Sequence, residues 1–329
     1  MASEPSVGKV LITPRSITGA GVELVPELEP LRRAGYEIVA PTPGRSPSAE
    51  ELLKIVPGCV GWLAGVEPIS EQVLEAAREL RVISRNGTGT DNIDVAAAAR
   101  TGVTVVRAAG ANAQAVAEMT LTLAMSCLRG VPWSAAALRA GGWQRWEAKE
   151  LSDCVIGVVG LGAIGRKVAS AFSALGATVI GYDPFASETG FRTVTLDDLV
   201  SQADVVTLHA PPPADGAALI NAERLALFRP QSVLINTARA SLVDDGAVLN
   251  ALREERLGAY AVDAFEIEPP ALTELLLHER VLATPHIGAF TGGSVRRATT
   301  QAVQGLLDVL TTTKAHETDQ QRSAADATS

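Results

Sequence analysis

The sequence predicts an α/β protein made of two doubly wound, parallel-sheet domains. Three observations carry this reading. Short apolar runs alternate with stretches of helical period through the first third of the chain. The alternation starts again at Leu151. And 329 residues is about two domains at roughly 150 residues each. Strands that alternate with helices imply parallel sheets covered on both faces.

In the first domain Lys9–Thr13, Tyr36–Ala40, Cys59–Ala64, Val82–Ser84 and Val103–Val106 are short, apolar and β-branched, as buried strands require. Helical spacing predicts helices over Leu24–Ala34 (stopped by Gly35), Ala49–Val56, Ser70–Leu80 and Asp94–Arg100. Ala111–Leu128 is a long helical stretch with few charges, hence a buried helix. The second set of strands is Val155–Val159, Thr178–Tyr182, Asp204–Leu208, Ser232–Asn236, Ala259–Val262 and Val281–Ala283. Gly292–Leu310 is a terminal helix, and the polar stretch Thr313–Ser329 is expected to be a disordered tail.

Hydrophobic residues make up 47% and charged residues 20%, so most of the chain has the material for ordinary cores. The net charge of −9, without a basic cluster, argues against nucleic acid and anionic membranes as partners. No apolar run reaches the ~20 residues of a bilayer span. The opening Met-Ala-Ser-Glu-Pro-Ser lacks the layout of a secretory signal. Cys59, Cys127 and Cys154 are odd in number, scattered and set among apolar neighbours. They read as buried free thiols of a cytoplasmic protein, with neither a disulfide frame nor a metal site.

The strand Val155–Val159 runs into Gly160-Leu161-Gly162-Ala163-Ile164-Gly165. A lone G-x-G-x-x-G is weak, but here a strand precedes it, a helix over Ala163–Leu175 follows, and a second strand ends at Asp183, 23 residues after Gly160. Gly160 permits the tight turn, Gly162 lets the backbone approach a pyrophosphate, and Gly165 lets helix and strand pack closely. The free N–H groups of the helix start favour phosphate. Asp183 would accept hydrogen bonds from ribose hydroxyls and repel a 2′-phosphate. With Pro184-Phe185-Ala186 next and no basic residue nearby, the cofactor read is NAD rather than NADP.

Three further segments follow strands: Asn236-Thr237-Ala238-Arg239, Asp263-Ala264-Phe265-Glu266-Ile267-Glu268-Pro269, and Thr284-Pro285-His286-Ile287-Gly288. Loops at the carboxyl ends of parallel strands line the ligand crevice, so Arg239, Glu268 and His286 can meet beside the cofactor.

With these motifs the chain resembles the D-isomer-specific 2-hydroxyacid dehydrogenases from about Val10 to Leu310. Gly87-Thr88-Gly89-Thr90-Asp91-Asn92-Ile93-Asp94 and Gly110-Ala111-Asn112 with Val116-Ala117-Glu118 add to the match. Short-form phosphoglycerate dehydrogenase-like members, without a C-terminal regulatory domain, look closest. The resemblance implies a Rossmann NAD-binding domain (110–288) inserted into a flavodoxin-like substrate domain (1–109 and 289–312). It implies catalysis by Arg239, Glu268 and His286: Arg239 holds the substrate carboxylate, His286 moves the proton and Glu268 orients the imidazole. Cofactor contacts are implied at Gly160, Gly162, Ala163, Ile164, Gly165, Asp183, the His209-Ala210-Pro211 loop, Thr237, Ala238, Arg239, Asp263 (nicotinamide carboxamide), His286 and Gly288. Glu266 is a weaker alternative to Glu268, and His278 and His316 read as surface residues.

For the substrate, a small 2-keto or 2-hydroxy acid, the resemblance implies contacts at Leu63, Ala64, Gly65, Arg85, Gly87 and Thr88 with Arg239 and His286. The Leu63-Ala64-Gly65-Val66 loop is expected to offer backbone N–H groups to the carboxylate. It lacks the Arg that many phosphoglycerate dehydrogenases carry there. Arg85 has two open roles, a phosphate contact or a partner for a neighbouring acid. Arg85, with Arg107 near the linker, favours a phosphorus-bearing keto acid such as phosphohydroxypyruvate or phosphonopyruvate. Alternatives are a glyoxylate or hydroxypyruvate reductase and a non-catalytic NAD-sensing protein; Glu268, where formate dehydrogenases have Gln, argues against those. A homodimer is implied, with Trp133, Trp143 and Trp146 on a dimer or hinge surface.

Overall fold

The computed structural model describes residues 7–145, 147–186 and 189–326. The N-terminal six residues, Trp146 and the last three residues, on which some of these expectations fall, lie outside the described residues. The chain forms two compact units, Met1–Asn112 with Gly292–Ser329, and Ala113–Thr291. The second unit thus begins three residues later and ends three residues later than the sequence pattern places it.

The first unit holds β1 (Gly8–Ile12), β2 (Tyr36–Val39), β3 (Cys59–Ala64), β4 (Val82–Arg85) and β5 (Thr104–Arg107). They form a parallel sheet in the order β2-β1-β3-β4-β5, the flavodoxin-like arrangement. Successive side chains of a strand point to opposite faces, and the cores follow that alternation. Leu11, Trp62, Ala64 and Ile83 pack on one face. Val10, Ile12, Leu63 and Val82 pack on the other, with Leu306 and Leu310 of the terminal helix. Gly61 keeps room for that helix, since a Cβ there would lie 3.0 Å from Leu306.

Two expectations fail in this unit. The helix over Leu24–Ala34 is instead two short 3₁₀ turns, Val22–Leu24 and Pro26–Leu28, and an α-helix over Glu29–Arg33. Pro26 is the reason: it forces Val25 into an extended conformation (φ −97°, ψ 106°) and has no N–H to donate. The tail expected after residue 312 is also corrected, because the terminal helix runs from Gly292 to Asp326. This stretch is polar, but it has no proline, and after Gly305 no glycine; Ala, Lys, Glu, Gln and Arg are sound helix formers.

The second unit holds β6 (Val155–Val159), β7 (Thr178–Tyr182), β8 (Arg192–Thr193), β9 (Val205–Leu208), β10 (Ser232–Asn236), β11 (Leu257–Val262) and β12 (Val281–Ala283). The order β12-β11-β10-β9-β6-β7-β8, all parallel, is a Rossmann-type sheet whose direction of winding reverses between β6 and β9. The short β8 was not predicted. The helix Ala113–Leu128, apolar as the sequence required, buries Ala117, Leu123, Ala124 and Cys127 against Ile156, Val158 and Phe172. Trp133 belongs partly to this core, with Arg280 stacked 5.6 Å from its ring, whereas Trp143 is exposed. No helix among the described residues is long and apolar enough to cross a membrane.

Candidate active site

Every loop singled out in the second half of the sequence leaves the carboxyl end of a strand of the second sheet. After β6, Gly160 takes φ +89°, and a Cβ there would lie 2.7 Å from the backbone of His209 and Ala210. A Cβ on Gly165 would lie 1.8 Å from the Gly160 carbonyl oxygen. Both positions admit only glycine. Gly162 is different: a Cβ would meet no atom within 4 Å. It stands at the start of the helix Ala163–Ala174, which has no side-chain cap and no acid in its first turn. The N–H groups there, on Ala163, Ile164 and Gly165, therefore face an open cradle shaped for an anion.

Asp183, just past β7, accepts hydrogen bonds from Leu161 N–H at 2.8 Å and Phe185 N–H at 2.9 Å. These two bonds fix a carboxylate beside the glycine turn and leave it further lone pairs. After β9, His209 Nε2 bonds the Thr207 hydroxyl at 2.9 Å, while Nδ1 is buried without a hydrogen-bond partner among the described residues. Burial lowers the His209 pKa to about 3, so the ring is neutral at ordinary pH. Ala210 packs on the core and Pro211 is exposed. An open helix start, a fixed acid and a buried orphan nitrogen on neighbouring strand ends fit a dinucleotide such as NAD.

After β10 the chain turns through Thr237 and Ala238 to Arg239. The Arg239 Nη1 donates to the Ala238 carbonyl at 2.8 Å, and the side chain is half-buried. After β11, Asp263 is buried and points toward the β12 loop rather than into solvent. Its Oδ1 accepts from the Thr284 hydroxyl at 2.7 Å and Ile287 N–H at 2.8 Å, and its Oδ2 from Gly288 N–H at 2.7 Å. Asp263 thus holds the loop on both sides of His286, through the Thr284 hydroxyl before it and the Ile287 and Gly288 N–H groups after it, a role the sequence did not reveal. His286 itself sits at φ +50°, a left-handed conformation that costs a non-glycine residue of order 1 kcal/mol or more and needs such support. Its Nδ1 is hydrogen-bonded to Glu268 Oε1. The two side chains are 49% and 41% exposed, so the pair is open to a ligand. Glu268, not Glu266, is the partner.

The expected substrate residues of the first unit are placed as follows. Leu63 and Ala64 are fully buried. The Gly65 N–H is taken by Glu67 Oε1 at 3.0 Å and the Thr13 hydroxyl at 3.2 Å, so it points inward. Glu67 is itself 1% exposed and hydrogen-bonded to Thr13; burial raises its pKa, while the Thr13 and Gly65 bonds and the Arg85 charge act the other way. Arg85 donates to the Asn86 carbonyl at 2.9 Å and lies over Gly87. The Thr88 hydroxyl bonds Asn112 at 3.1 Å. His278 is partly buried, its Nδ1 accepting from Arg280 N–H at 3.1 Å.

Residues 121–288 match the family model described as D-isomer specific 2-hydroxyacid dehydrogenase, NAD binding domain. The chain is 38% identical over 270 residues to the D-3-phosphoglycerate dehydrogenase of Methanocaldococcus jannaschii, covering 79% of this chain and 52% of that one. It is 34% identical over 269 residues to the hydroxypyruvate reductase of Thermotoga maritima, covering 79% and 88%. A solved protein of Thermus thermophilus superposes with a TM-score of 0.82 at 33% identity, over 92% of this chain and 96% of that one. The chain spans about half the length of the D-3-phosphoglycerate dehydrogenases it matches.

Proposed function

The chain belongs to the D-isomer-specific 2-hydroxyacid dehydrogenases, and on that premise we propose that it is an NAD-dependent reductase of a small 2-keto acid, reversible to the 2-hydroxy acid. The observation that carries this is the Glu268–His286 hydrogen bond. With Nδ1 bound to Glu268, the imidazole presents Nε2 for proton transfer in a fixed orientation. Arg239 binds the substrate carboxylate with its planar fork. Glu268 offsets the charge that the imidazole carries before it gives up its proton. The chemistry supplied by bound NADH is hydride delivery to the carbonyl carbon. His286 then protonates the keto oxygen, and in the reverse direction takes the hydroxyl proton.

Gly160, Gly162, Ala163, Ile164, Gly165, Asp183 and the His209-Ala210-Pro211 loop would hold the cofactor. For the acid, a phosphorus-bearing group is the first candidate, phosphohydroxypyruvate or phosphonopyruvate, with Arg85 as the residue to test. The D-3-phosphoglycerate dehydrogenase relatives support it. A second reading, a glyoxylate or hydroxypyruvate reductase, is favoured by the engagement of Arg85 with Asn86 and by the name of the Thermotoga maritima relative.

A homodimer through the second unit is supported by the helix Val131–Arg139, which buries none of its residues and exposes Val131 and Leu138, with Trp143 beyond it. A reducing compartment is supported by Cys59, Cys127 and Cys154, all free and buried. Burial pushes the Cys59 thiol up to about 11 and Cys127 to about 12.

The test is NADH oxidation with phosphohydroxypyruvate, phosphonopyruvate, hydroxypyruvate, glyoxylate and pyruvate, for wild type and Arg85→Ala. A preference for a phosphorus-bearing acid that Arg85→Ala removes supports the first substrate. Best turnover with glyoxylate or hydroxypyruvate, unchanged in Arg85→Ala, supports the second. Tight NADH binding with no turnover of any acid turns the reading to an NAD-sensing protein.

A further inference from the structure

We propose that Asn236 is the positioning residue that sets Arg239 for the substrate carboxylate; this rests on the role given to Arg239 above. Asn236 is the last residue of β10 and is fully buried. Its side chain spans the turn that carries the arginine. Oδ1 accepts from the Ala238 N–H at 3.1 Å, and Nδ2 donates to the Arg239 carbonyl at 2.8 Å. One amide thereby grips two backbone groups of the Thr237-Ala238-Arg239 turn, the Ala238 N–H and the Arg239 carbonyl.

A second anchor acts on the same turn. The Thr120 hydroxyl, buried on the helix Ala113–Leu128, donates to the Val116 carbonyl at 2.8 Å. It has no second proton, so it accepts from the Thr237 hydroxyl at 3.2 Å. The guanidinium folds back onto this braced backbone through the Ala238 carbonyl. An arginine on a free loop has four side-chain torsions and a mobile Cα to order when it binds an anion. Here the backbone share of that ordering cost is met during folding, by buried bonds that no ligand needs to make. Only an amide does this at position 236. A carboxylate accepts from Ala238 but cannot donate to the Arg239 carbonyl, and a hydroxyl is too short to reach both.

The experiment uses oxamate, a carboxylate analogue of a 2-keto acid, titrated calorimetrically into the NADH-loaded full chain. Wild type, Asn236→Ser, Arg239→Lys and the double variant are compared, with glyoxylate kinetics alongside. Arg239→Lys is expected to weaken oxamate by about thirtyfold or more, through loss of the bidentate fork. Asn236→Ser is expected to weaken it by about tenfold, the effect of one lost buried hydrogen bond. KM for glyoxylate rises in Asn236→Ser more than kcat falls, and NADH affinity stays within about threefold.

In the double variant oxamate binds about as in Arg239→Lys, because Asn236 acts through the fork already removed. Multiplied effects in the double variant, unchanged oxamate binding in Asn236→Ser, or an equal loss of NADH and oxamate affinity overturns the proposal while the Arg239 role stands. Unchanged oxamate binding in Arg239→Lys overturns that role and the proposal together. If Asn236→Ser does not fold, Asn236→Asp, which keeps the bond from Ala238 and loses the one to the Arg239 carbonyl, carries the test: about threefold or more weaker oxamate, absent in the Arg239→Lys background, is expected, and no change overturns the proposal.

Discussion

The Asp263 carboxylate holds Gly288 by its backbone: Oδ2 accepts the Gly288 N–H at 2.7 Å, and a Cβ on Gly288 would lie 2.8 Å from the same oxygen. The pair leaves no space for a side chain. Gly288→Ala is therefore expected to push the β12 loop off its clamp and shift His286, lowering kcat by about tenfold to a hundredfold. Asp263→Ala would strand three donors, from Thr284, Ile287 and Gly288, at a cost of about 3 kcal/mol or more, read as a fall in Tm. Wild-type stability in Asp263→Ala would contradict the clamp.

The glycine turn separates fold from ligand. A Cβ at Gly162 touches no atom of the protein, so Gly162→Val is expected to keep Tm within a few degrees while weakening NADH by about tenfold or more. Gly165→Ala is expected to lower Tm as well, since its Cβ would lie 1.8 Å from a carbonyl oxygen. Fluorescence titration with NADH and a thermal melt of each variant decide it; unchanged NADH affinity in Gly162→Val would place the cofactor elsewhere.

Much of this site was legible in the sequence, and the reasons are local. The strands of the second unit are continuous apolar runs, the glycines mark a turn, and Asp183 ends the next strand, so neighbouring residues announce the cofactor cradle. Arg239, Glu268 and His286 lie on three different strand ends, and only the order of their motifs pointed to them. What stayed hidden depends on distant partners. Nothing in the sequence marks Glu67 as buried, because Thr13, which bonds it, is 54 residues away. Asn236 and Asp263 brace backbone groups, which carry no residue signature. Over Leu24–Ala34 the apolar spacing is helical, but Pro26 outweighs it by holding Val25 extended and lacking an N–H.

Glu67 yields a pH signature. Burial raises its pKa above the ordinary value of 4.5. The stability tied to that group is fully present below the ordinary value and is lost as pH rises through the raised one. Glu67→Gln has no such group to ionise. Wild type is expected to lose Tm relative to Glu67→Gln as pH rises above about 4.5, with no such relative loss below it. A gap that does not change with pH would contradict the buried acid.

His209 yields the opposite slope. Burial lowers its pKa from 6.5 to about 3, so its contribution is complete above pH 6.5 and is lost progressively as pH falls toward 3. By pH 5 the loss is about 2 kcal/mol. Denaturant titrations at pH 7 and pH 5 should show a smaller drop for His209→Gln than for wild type. Equal drops would mean the imidazole titrates near its ordinary value.

The most direct measurement sets wild type beside His286→Gln, each saturated with NADH and given the best acid of the substrate panel. The account predicts that His286→Gln, saturated with NADH, oxidises it at least about a hundredfold more slowly, because the proton donor held by Glu268 is gone. Turnover by His286→Gln at the wild-type rate would contradict the account, leaving the Glu268–His286 pair without a part in the reaction.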